Sequence, residues 1–297
     1  MSNSFGKRAV VIGAGVGGLC AARVLADHFD EVIVLERDAL PSEANPRPGT
    51  PQCRHLHALL VGGLAALEDM FPGFERDLAD AGAVTLRIGL DVVWERPGYD
   101  PFPRRDLGLR SYAMSRPLIE LTIRRRLLQY PNVILRENCR ATSLVASEDK
   151  RAVAAVAFEA EDGKGESLPV GIVIDASGRG ALALAFLQST SHSSPEETTI
   201  GIDIAYSTAV FAMPNETPLL FKGAVLIPNA PQISRGGFLL SIEHNRWIVS
   251  LGGAHGDQPP GDHEGFLDFA RSLRTSTIFD AIKHAELIAP IARYAFT

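Results

Sequence analysis

Three observations predict an α/β fold in which a domain of alternating strands and helices is joined to an antiparallel β-sheet domain. Residues 9–19 read as an apolar strand, a glycine-rich turn and the start of a helix. A second apolar strand, residues 32–35, follows that helix. From about residue 191 the chain becomes a series of strand-like stretches without helices between them, which is typical of an antiparallel sheet.

The first turn carries the dinucleotide-binding spacing G-x-G-x-x-G, with Gly13, Gly15 and Gly18 at the three glycine positions. In that motif the first glycine makes a tight turn, the second lets the backbone approach a pyrophosphate, and the third lets helix and strand pack closely. The N–H groups and the dipole at the helix N-terminus favour an anion there. Glu36 ends the second strand 18 residues after Gly18, close to the spacing of about 20 expected for the acid that binds a ribose.

The next elements are predicted from the spacing of apolar residues and from residues that begin or end helices. Leucines at helical spacing predict a helix over residues 56–70, which Phe71-Pro72-Gly73 ends. Alternating apolar residues predict strands over 84–97 and 108–114, expected as a β-layer beside the Rossmann core. A further helix is predicted from Ser115-Arg116-Pro117, with proline at its first position.

The remaining stretches complete two predicted domains. Residues 133–135 and 170–174 read as core strands, and residues 140–160 as a meander. We therefore expect a first domain over residues 1–190, with 85–111 in its β-layer, and a second over 191–297. Its predicted elements are strands near 200–206, 224–227, 237–242 and 247–251, and a helix over about 265–273 introduced by Asp262.

Composition excludes several classes of protein. The 297 residues are 46% hydrophobic and 22% charged, as in an ordinary globular protein. The net charge of −6 argues against a nucleic-acid partner. No apolar run approaches the roughly 18 residues of a membrane span, so no stable membrane insertion is expected. The cysteines at 20, 53 and 139 lack metal-ligand spacing, which predicts no metal site and reduced thiols in a cytoplasmic protein.

A second signature follows the strand over residues 170–174. Asp175-Ala176-Ser177-Gly178 places a carboxylate and a bare backbone at the carboxyl end of a sheet, where doubly wound folds bind ligands. Together with the glycine turn, this pattern resembles the FAD-dependent monooxygenases related to 4-hydroxybenzoate hydroxylase. The segment Arg47-Pro48-Gly49-Thr50-Pro51-Gln52-Cys53-Arg54-His55-Leu56-His57 is similar to bacterial flavin epoxidases and hydroxylases related to squalene epoxidase. The resemblance extends over essentially the whole chain.

That resemblance implies a three-layer FAD/NAD(P)-binding domain and an antiparallel substrate domain. It implies that NAD(P)H reduces bound FAD and that a flavin hydroperoxide gives one oxygen atom to a small apolar substrate, aromatic or alkene. Glu36 would hold the adenosine ribose, and Arg37 and Arg116 would contact the cofactor's phosphates. Asp175 and Gly178 would lie near the flavin or the path of the nicotinamide. Since the cofactor carries the chemistry, no catalytic side chain is identified.

The chain also departs from the family. A third motif, Gly-Asp-Ala at the start of a late helix, is not matched by Gly256-Asp257 or Gly261-Asp262, so the chain resembles a C-terminally truncated member. Alternatives are a flavin-dependent reductase of the geranylgeranyl-reductase type, a flavin-dependent halogenase, or a non-catalytic remnant. The isolated Trp94 and Trp247 do not form the Trp-x-Trp-x-Ile-Pro signature of halogenases.

Two histidines leave a choice of roles. His55 and His57 are two residues apart and cannot share one helix face. Either one of them lines the front side of the flavin, or they are loop histidines that hydrogen-bond the backbone. The substrate, the choice between epoxidation and hydroxylation, and the oligomeric state stay open.

Overall fold

The computed structural model describes residues 6–100, 102–178, 180–214 and 220–296. The chain divides into two compact units. The first unit comprises Met1–Pro51, Leu67–Phe74 and Pro117–Thr198, and the second comprises Gln52–Ala66, Glu75–Arg116 and Thr199–Thr297.

The strands are β1 (Gly6–Ile12), β2 (Phe29–Leu35), β3 (Ala58–Leu59), β4 (Val84–Arg87), β5 (Val92–Glu95), β6 (Arg110–Ala113), β7 (Val133–Arg136), β8 (Arg140–Ala146), β9 (Val153–Glu159), β10 (Gly165–Pro169), β11 (Ile172–Asp175), β12 (Ile204–Ala212), β13 (Gly223–Leu226), β14 (Gly236–Ile242), β15 (Arg246–Ala254) and β16 (Ala292–Phe296). The helices are α1 (Val16–Ala26), α2 (Val61–Met70), α3 (Phe74–Asp80), α4 (Arg116–Leu127), α5 (Ala181–Ser189), α6 (His263–Arg271) and α7 (Thr277–Ile282).

The first unit contains a four-stranded parallel sheet in the order β11-β1-β2-β7. In register, Ile12 pairs with Leu35 on one side and with Asp175 on the other, so the three strands end at the same edge. The ends of parallel strands form the ligand-binding edge of such sheets. The sheet therefore places the glycine turn, Glu36 and the second signature together.

Strand alternation gives this unit its layers. Val10, Ile12, Ile33 and Leu35 form one core cluster with Phe158 and its neighbours on the antiparallel sheet β10-β9-β8. Because successive side chains of a strand point to opposite faces, the intervening residues face the other side, where α1 packs on β1 and β2. Helix, parallel sheet and meander form three layers, as in the three-layer domain that the resemblance implies, but the β-layer is the meander and not residues 85–111.

The second unit contains a six-stranded sheet in the order β16-β12-β15-β14-β13-β5. Every neighbouring pair is antiparallel except β13 with β5. One face of the sheet is covered by α6 and α7, with a buried core that includes Phe211, Trp247 and Leu251 from the strands and Phe266 and Ile282 from the helices. Asp262 caps α6 by accepting a hydrogen bond from Gly265 N–H at 2.8 Å, at the position that the sequence indicated.

The division into units differs from the expected one at residues 52–66 and 75–116, which include the stretch 85–111. These residues belong to the second unit, where β5 pairs in parallel with β13, which begins at Gly223. β4 and β6 form a small sheet with β3 in the same unit. The expectation that residues 85–111 form a β-layer beside the Rossmann core is wrong. Local alternation could not reveal the partner of β5, because β13 lies more than a hundred residues further along the chain.

Helix boundaries show smaller differences. The helix expected over 56–70 begins at Val61, after the short strand β3, and the sequence did not indicate α3, α5 or α7. Within the described residues, no helix is both long enough and apolar enough to cross a bilayer.

Candidate functional site

The turn between β1 and α1 requires glycine at two of its three motif positions. Gly13 has φ +99°, and a Cβ there would lie 2.7 Å from the carbonyl oxygen of Ala176. A Cβ on Gly18 would lie 1.9 Å from the carbonyl oxygen of Gly13. Because Ala176 follows Asp175, these contacts pack the two sequence signatures directly against each other.

Gly15 is a glycine for a different reason. It is the N-cap of α1 and has no side chain that could cap the helix, and a Cβ built there would meet nothing within 4 Å. The first N–H groups of a helix have no acceptor within the helix. The open space at Gly15 and the N-terminal dipole therefore suit an anion, and a pyrophosphate contact at Gly15 stays a prediction.

Glu36 lies at the edge of the sheet, and its side chain is only 5% exposed. Its Oε2 accepts a hydrogen bond from Ala14 N–H at 2.8 Å and lies 3.1 Å from Nη1 of Arg47. Its Oε1 accepts from Asp38 N–H at 3.0 Å. A carboxylate has about four acceptor positions, so roughly one position remains, on Oε1. Glu36 therefore has capacity for one ribose hydroxyl.

Arg47 is the residue that the sequence reasoning missed. Its guanidinium is 4% exposed and lies between three carboxylates: Nε is 2.7 Å from Glu120, and Nη1 is 2.8 Å from Asp38 and 3.1 Å from Glu36. Burial acts to lower the pKa of Arg47, but the hydrogen bonds and charges of these carboxylates outweigh it and raise the pKa. Arg47 was visible in the segment that resembles the flavin epoxidases, but nothing local paired it with Glu36.

The two arginines proposed from the sequence lie in different units. Arg37 directly follows Glu36 in the first unit; its side chain is 63% exposed and its Nε is 3.9 Å from Asp38. Arg116 is the first residue of α4, is partly buried, and belongs to the second unit. The contacts of both with a cofactor phosphate stay predictions.

Asp175 and Gly178 shape the second turn. Asp175 Oδ1 accepts hydrogen bonds from the N–H and hydroxyl of Ser177, at 3.1 and 2.5 Å, and its Oδ2 accepts from Ala183 N–H at 3.1 Å. Asp175 thus ties the turn to the first turn of α5. Gly178 has φ +103° and nothing within 4 Å of a built Cβ, so the backbone conformation is what requires glycine there. Contacts of either residue with a flavin stay predictions.

A separate pocket of about 650 Å³ lies within the second unit. It is formed on the face of the six-stranded sheet opposite α6 and α7, together with residues that precede β3 and residues that precede β14. Its lining is mostly apolar or small, with Tyr206 and Phe238 as large aromatic members. A mostly apolar cavity of this size, with a few polar groups, is typical of a small-molecule site.

Both histidines of the resemblance segment line this pocket. Nδ1 of His57 donates to the carbonyl oxygen of His55 at 2.9 Å, which confirms the backbone-bonded alternative for His57. Nδ1 of His55 lies 3.0 Å from the hydroxyl of Thr208, and its ring packs edge-on against Tyr206 at 4.8 Å. Burial lowers the pKa of His55, aided by the charge of His57. Burial also lowers the pKa of His57, with a contribution from Arg116.

Among the described residues, no group of three or more histidine, cysteine, aspartate or glutamate side chains is placed to hold a metal ion. The geometry described above suits an anion at the glycine turn, one hydroxyl at Glu36, and a small molecule in the pocket.

No protein-family model matches the chain. Protein Rv3254 of Mycobacterium tuberculosis (strain ATCC 25618 / H37Rv) is 30% identical over 297 residues, a match that covers 97% of this chain and 62% of that protein. The chain thus spans less than two thirds of the length of this curated relative.

Solved structures share the architecture. The flavin-dependent brominase Bmp2 matches with a TM-score of 0.69 and 14% identity, over 98% of this chain and 67% of that chain. PqsL of Pseudomonas aeruginosa, described as a probable FAD-dependent monooxygenase, matches with a TM-score of 0.66 and 12% identity, over 97% of this chain and 73% of that chain. At these identities the likeness establishes the fold.

Proposed function

Given that the chain has the fold of FAD-dependent monooxygenases and halogenases, we propose that its first unit binds FAD and that the protein is an FAD-dependent monooxygenase. In this proposal NAD(P)H supplies the electrons and one oxygen atom of dioxygen enters a small apolar substrate. The observation that carries the proposal is the convergence, at one edge of the parallel sheet, of the glycine turn, Glu36 and the turn that follows Asp175.

The residues present fit the adenosine diphosphate part of FAD. Gly15 leaves space for a pyrophosphate to approach the N-terminus of α1. Glu36 Oε1 has capacity for one ribose hydroxyl, while Arg47 and the N–H of Ala14 hold the carboxylate in place through Oε2. Since these partners are backbone or buried groups, the carboxylate is oriented before any ligand binds.

FAD, when bound, supplies the redox chemistry and the reaction with dioxygen, which side chains cannot perform. The chain contributes binding, orientation and exclusion of water. The lining of the pocket in the second unit supports an apolar substrate, because its described members include no aspartate, glutamate, lysine or arginine.

The test of cofactor identity is release of the bound nucleotide. Purified protein should show flavin absorption after denaturation, whereas release of a nicotinamide nucleotide, or of nothing, contradicts the proposal. Glu36→Gln should then weaken FAD binding roughly 10- to 150-fold, the loss of one charged hydrogen bond of about 1.5–3 kcal/mol.

The matched control for Glu36 is Glu31→Gln, at the other end of β2. Glu31 pairs with Arg8 and lies away from the edge that holds the glycine turn. Its replacement should leave the dissociation constant of FAD unchanged. An unchanged constant for Glu36→Gln as well would remove Glu36 from the ribose site.

A halogenase is the second candidate, because Bmp2 is described as a brominase and the similar CndH as a chondrochloren halogenase. Against it, Trp247 is 1% exposed in the core beneath the sheet, and Trp94 lies two strands beyond β14, on β5.

Label from ¹⁸O₂ in the product supports the monooxygenase. Product that requires halide indicates the halogenase, and nicotinamide oxidation that continues without dioxygen indicates a reductase. A purified protein that binds flavin but performs none of these reactions favours the non-catalytic alternative.

A further inference from the structure

The pocket of the second unit has a floor of small residues between aromatic side walls. Ser250, Gly252 and Ala254 alternate along β15 and share one face of the sheet. On that face, Gly252 pairs with Tyr206 of β12, and Ser250 pairs with Phe238 of β14. Tyr206 and Phe238 therefore stand on either side of a strip that carries almost no side-chain volume. A flat groove between two aromatic rings suits a planar molecule, because rings favour offset or edge-on aromatic contacts.

A chain of hydrogen bonds reaches this floor at Ser250. The hydroxyl of Ser250 lies 2.5 Å from that of Thr208, which lies 3.0 Å from Nδ1 of His55. The three residues are at most 9% exposed, so water does not compete along the chain. A hydroxyl offers one donor and two acceptor positions, and its bond to Thr208 uses only one of them. Ser250 lines the pocket and so has a further position for a polar group of a ligand.

The groove is also suited to an uncharged ligand. None of the described residues that line it is an aspartate, glutamate, lysine or arginine. Burial favours the neutral forms of His55 and His57 by lowering the pKa of each. A charged group placed here would lose its hydration without gaining a counter-ion, which is costly.

We propose that this groove binds an uncharged, planar aromatic or conjugated molecule through one hydroxyl group that hydrogen-bonds to Ser250. Thr208 and His55 act as positioning residues, which hold the Ser250 hydroxyl in a fixed orientation. That this ligand is the substrate rests on the function proposed above, but the binding itself does not depend on a cofactor.

Three fluorescent probes test the three parts of the proposal. 1-Hydroxypyrene is planar, uncharged and carries one hydroxyl; pyrene lacks the hydroxyl; pyrene-1-carboxylate is charged. Fluorescence titration of the purified protein should give the order 1-hydroxypyrene, then pyrene, then the carboxylate. The hydroxyl should improve affinity by roughly 2- to 12-fold, the range of a single net hydrogen bond. Equal affinity for the first two probes, or tightest binding of the carboxylate, overturns the proposal.

Variants locate the hydrogen bond. Ser250→Ala should abolish the preference for 1-hydroxypyrene over pyrene, and Thr208→Val should reduce it, with rescue by Thr208→Ser. The matched control is Ser207→Ala, since Ser207 lies on the opposite face of β12 and donates to the carbonyl oxygen of Pro259 at 2.8 Å. It should keep the full preference even if it melts earlier. A preference that survives Ser250→Ala excludes Ser250 as the partner.

A last variant locates the groove itself. A Cβ on Gly252 would come no closer than 3.6 Å to atoms beyond its two chain neighbours, so a side chain can begin there, and that of Gly252→Leu would extend into the pocket that Gly252 lines. Its melting temperature is measured alongside, and Gly252→Ala serves as the milder substitution. Loss of both uncharged probes supports the site, whereas unchanged binding by a folded variant places the probes elsewhere. If the protein binds the probes but releases no flavin, this inference stands and the proposed function fails. If it releases flavin but does not bind the probes, the proposed function stands and this inference fails.

Discussion

The substitution Arg47→Met tests the most heavily buried charge cluster of the first unit. Arg47 is 4% exposed and is surrounded by the carboxylates of Glu36, Asp38 and Glu120, which are 5%, 9% and 8% exposed. Methionine fills much of the same volume but removes the positive charge that lies 2.7–3.1 Å from all three. Removing one partner of a buried ion pair costs about 3–5 kcal/mol, because the remaining charge is uncompensated. Since a domain is stable by about 5–15 kcal/mol, this is a large fraction of the total.

Urea unfolding followed by circular dichroism measures this loss as a lower midpoint at unchanged slope. The control is Arg37→Met, because Arg37 is 63% exposed and lies 3.9 Å from Asp38, so its pair contributes less than about 1 kcal/mol. Adding Glu120→Gln to Arg47→Met should recover part of the loss, since one uncompensated charge disappears. If Arg47→Met loses no more stability than Arg37→Met, the carboxylates do not depend on Arg47 and the reasoning is wrong.

Three further predictions concern the glycine turn and titrating groups. Gly18→Ala should lower the free energy of unfolding by about 1–3 kcal/mol, because its Cβ overpacks against the carbonyl oxygen of Gly13. Gly15→Ala should fold normally and only weaken flavin binding. Equal melting temperatures of the two variants would contradict this prediction. Burial lowers the pKa of both His55 and His57 below 6.5, so protonating either one costs the folded state more than the unfolded state, and stability should decrease as the pH falls below 6.5 towards the lowered pKa values. The decrease should be smaller in His55→Gln, which removes one of the two groups, and unchanged in the exposed-site control His284→Gln. A hydrogen bond from the side chain of Arg87 lowers the pKa of Asp91 from 3.8 to about 2. The stability that the ionised Asp91 contributes is therefore present above pH 3.8 and lost between pH 3.8 and 2. Asp91→Asn should not show this loss of stability during acid unfolding.

Local sequence was sufficient to predict the glycine turn and to place Glu36 at the end of β2. The spacing of Gly13 and Gly18 could be read locally, and the structure shows close approaches that exclude a Cβ at both: Gly18 approaches the nearby carbonyl oxygen of Gly13, whereas Gly13 approaches that of the distant Ala176. Glu36 was found by its spacing, but its partners were not, because Arg47 reaches it through a loop whose course no periodicity describes. Those partners occupy three of the roughly four acceptor positions of the carboxylate and leave about one.

The sequence by itself determined the strand–turn–helix–strand order of the first unit, because glycine spacing, β-branched runs and helix punctuation act over a few residues. It also determined that antiparallel strands follow residue 191. Only the tertiary structure decided that β5 belongs with β13, that Arg47 lies among three carboxylates, and that the Ser250 hydroxyl connects through Thr208 to His55. These contacts join residues that are far apart in the chain, and they form because burial of apolar surface and pairing of buried polar groups must be satisfied together over the whole unit.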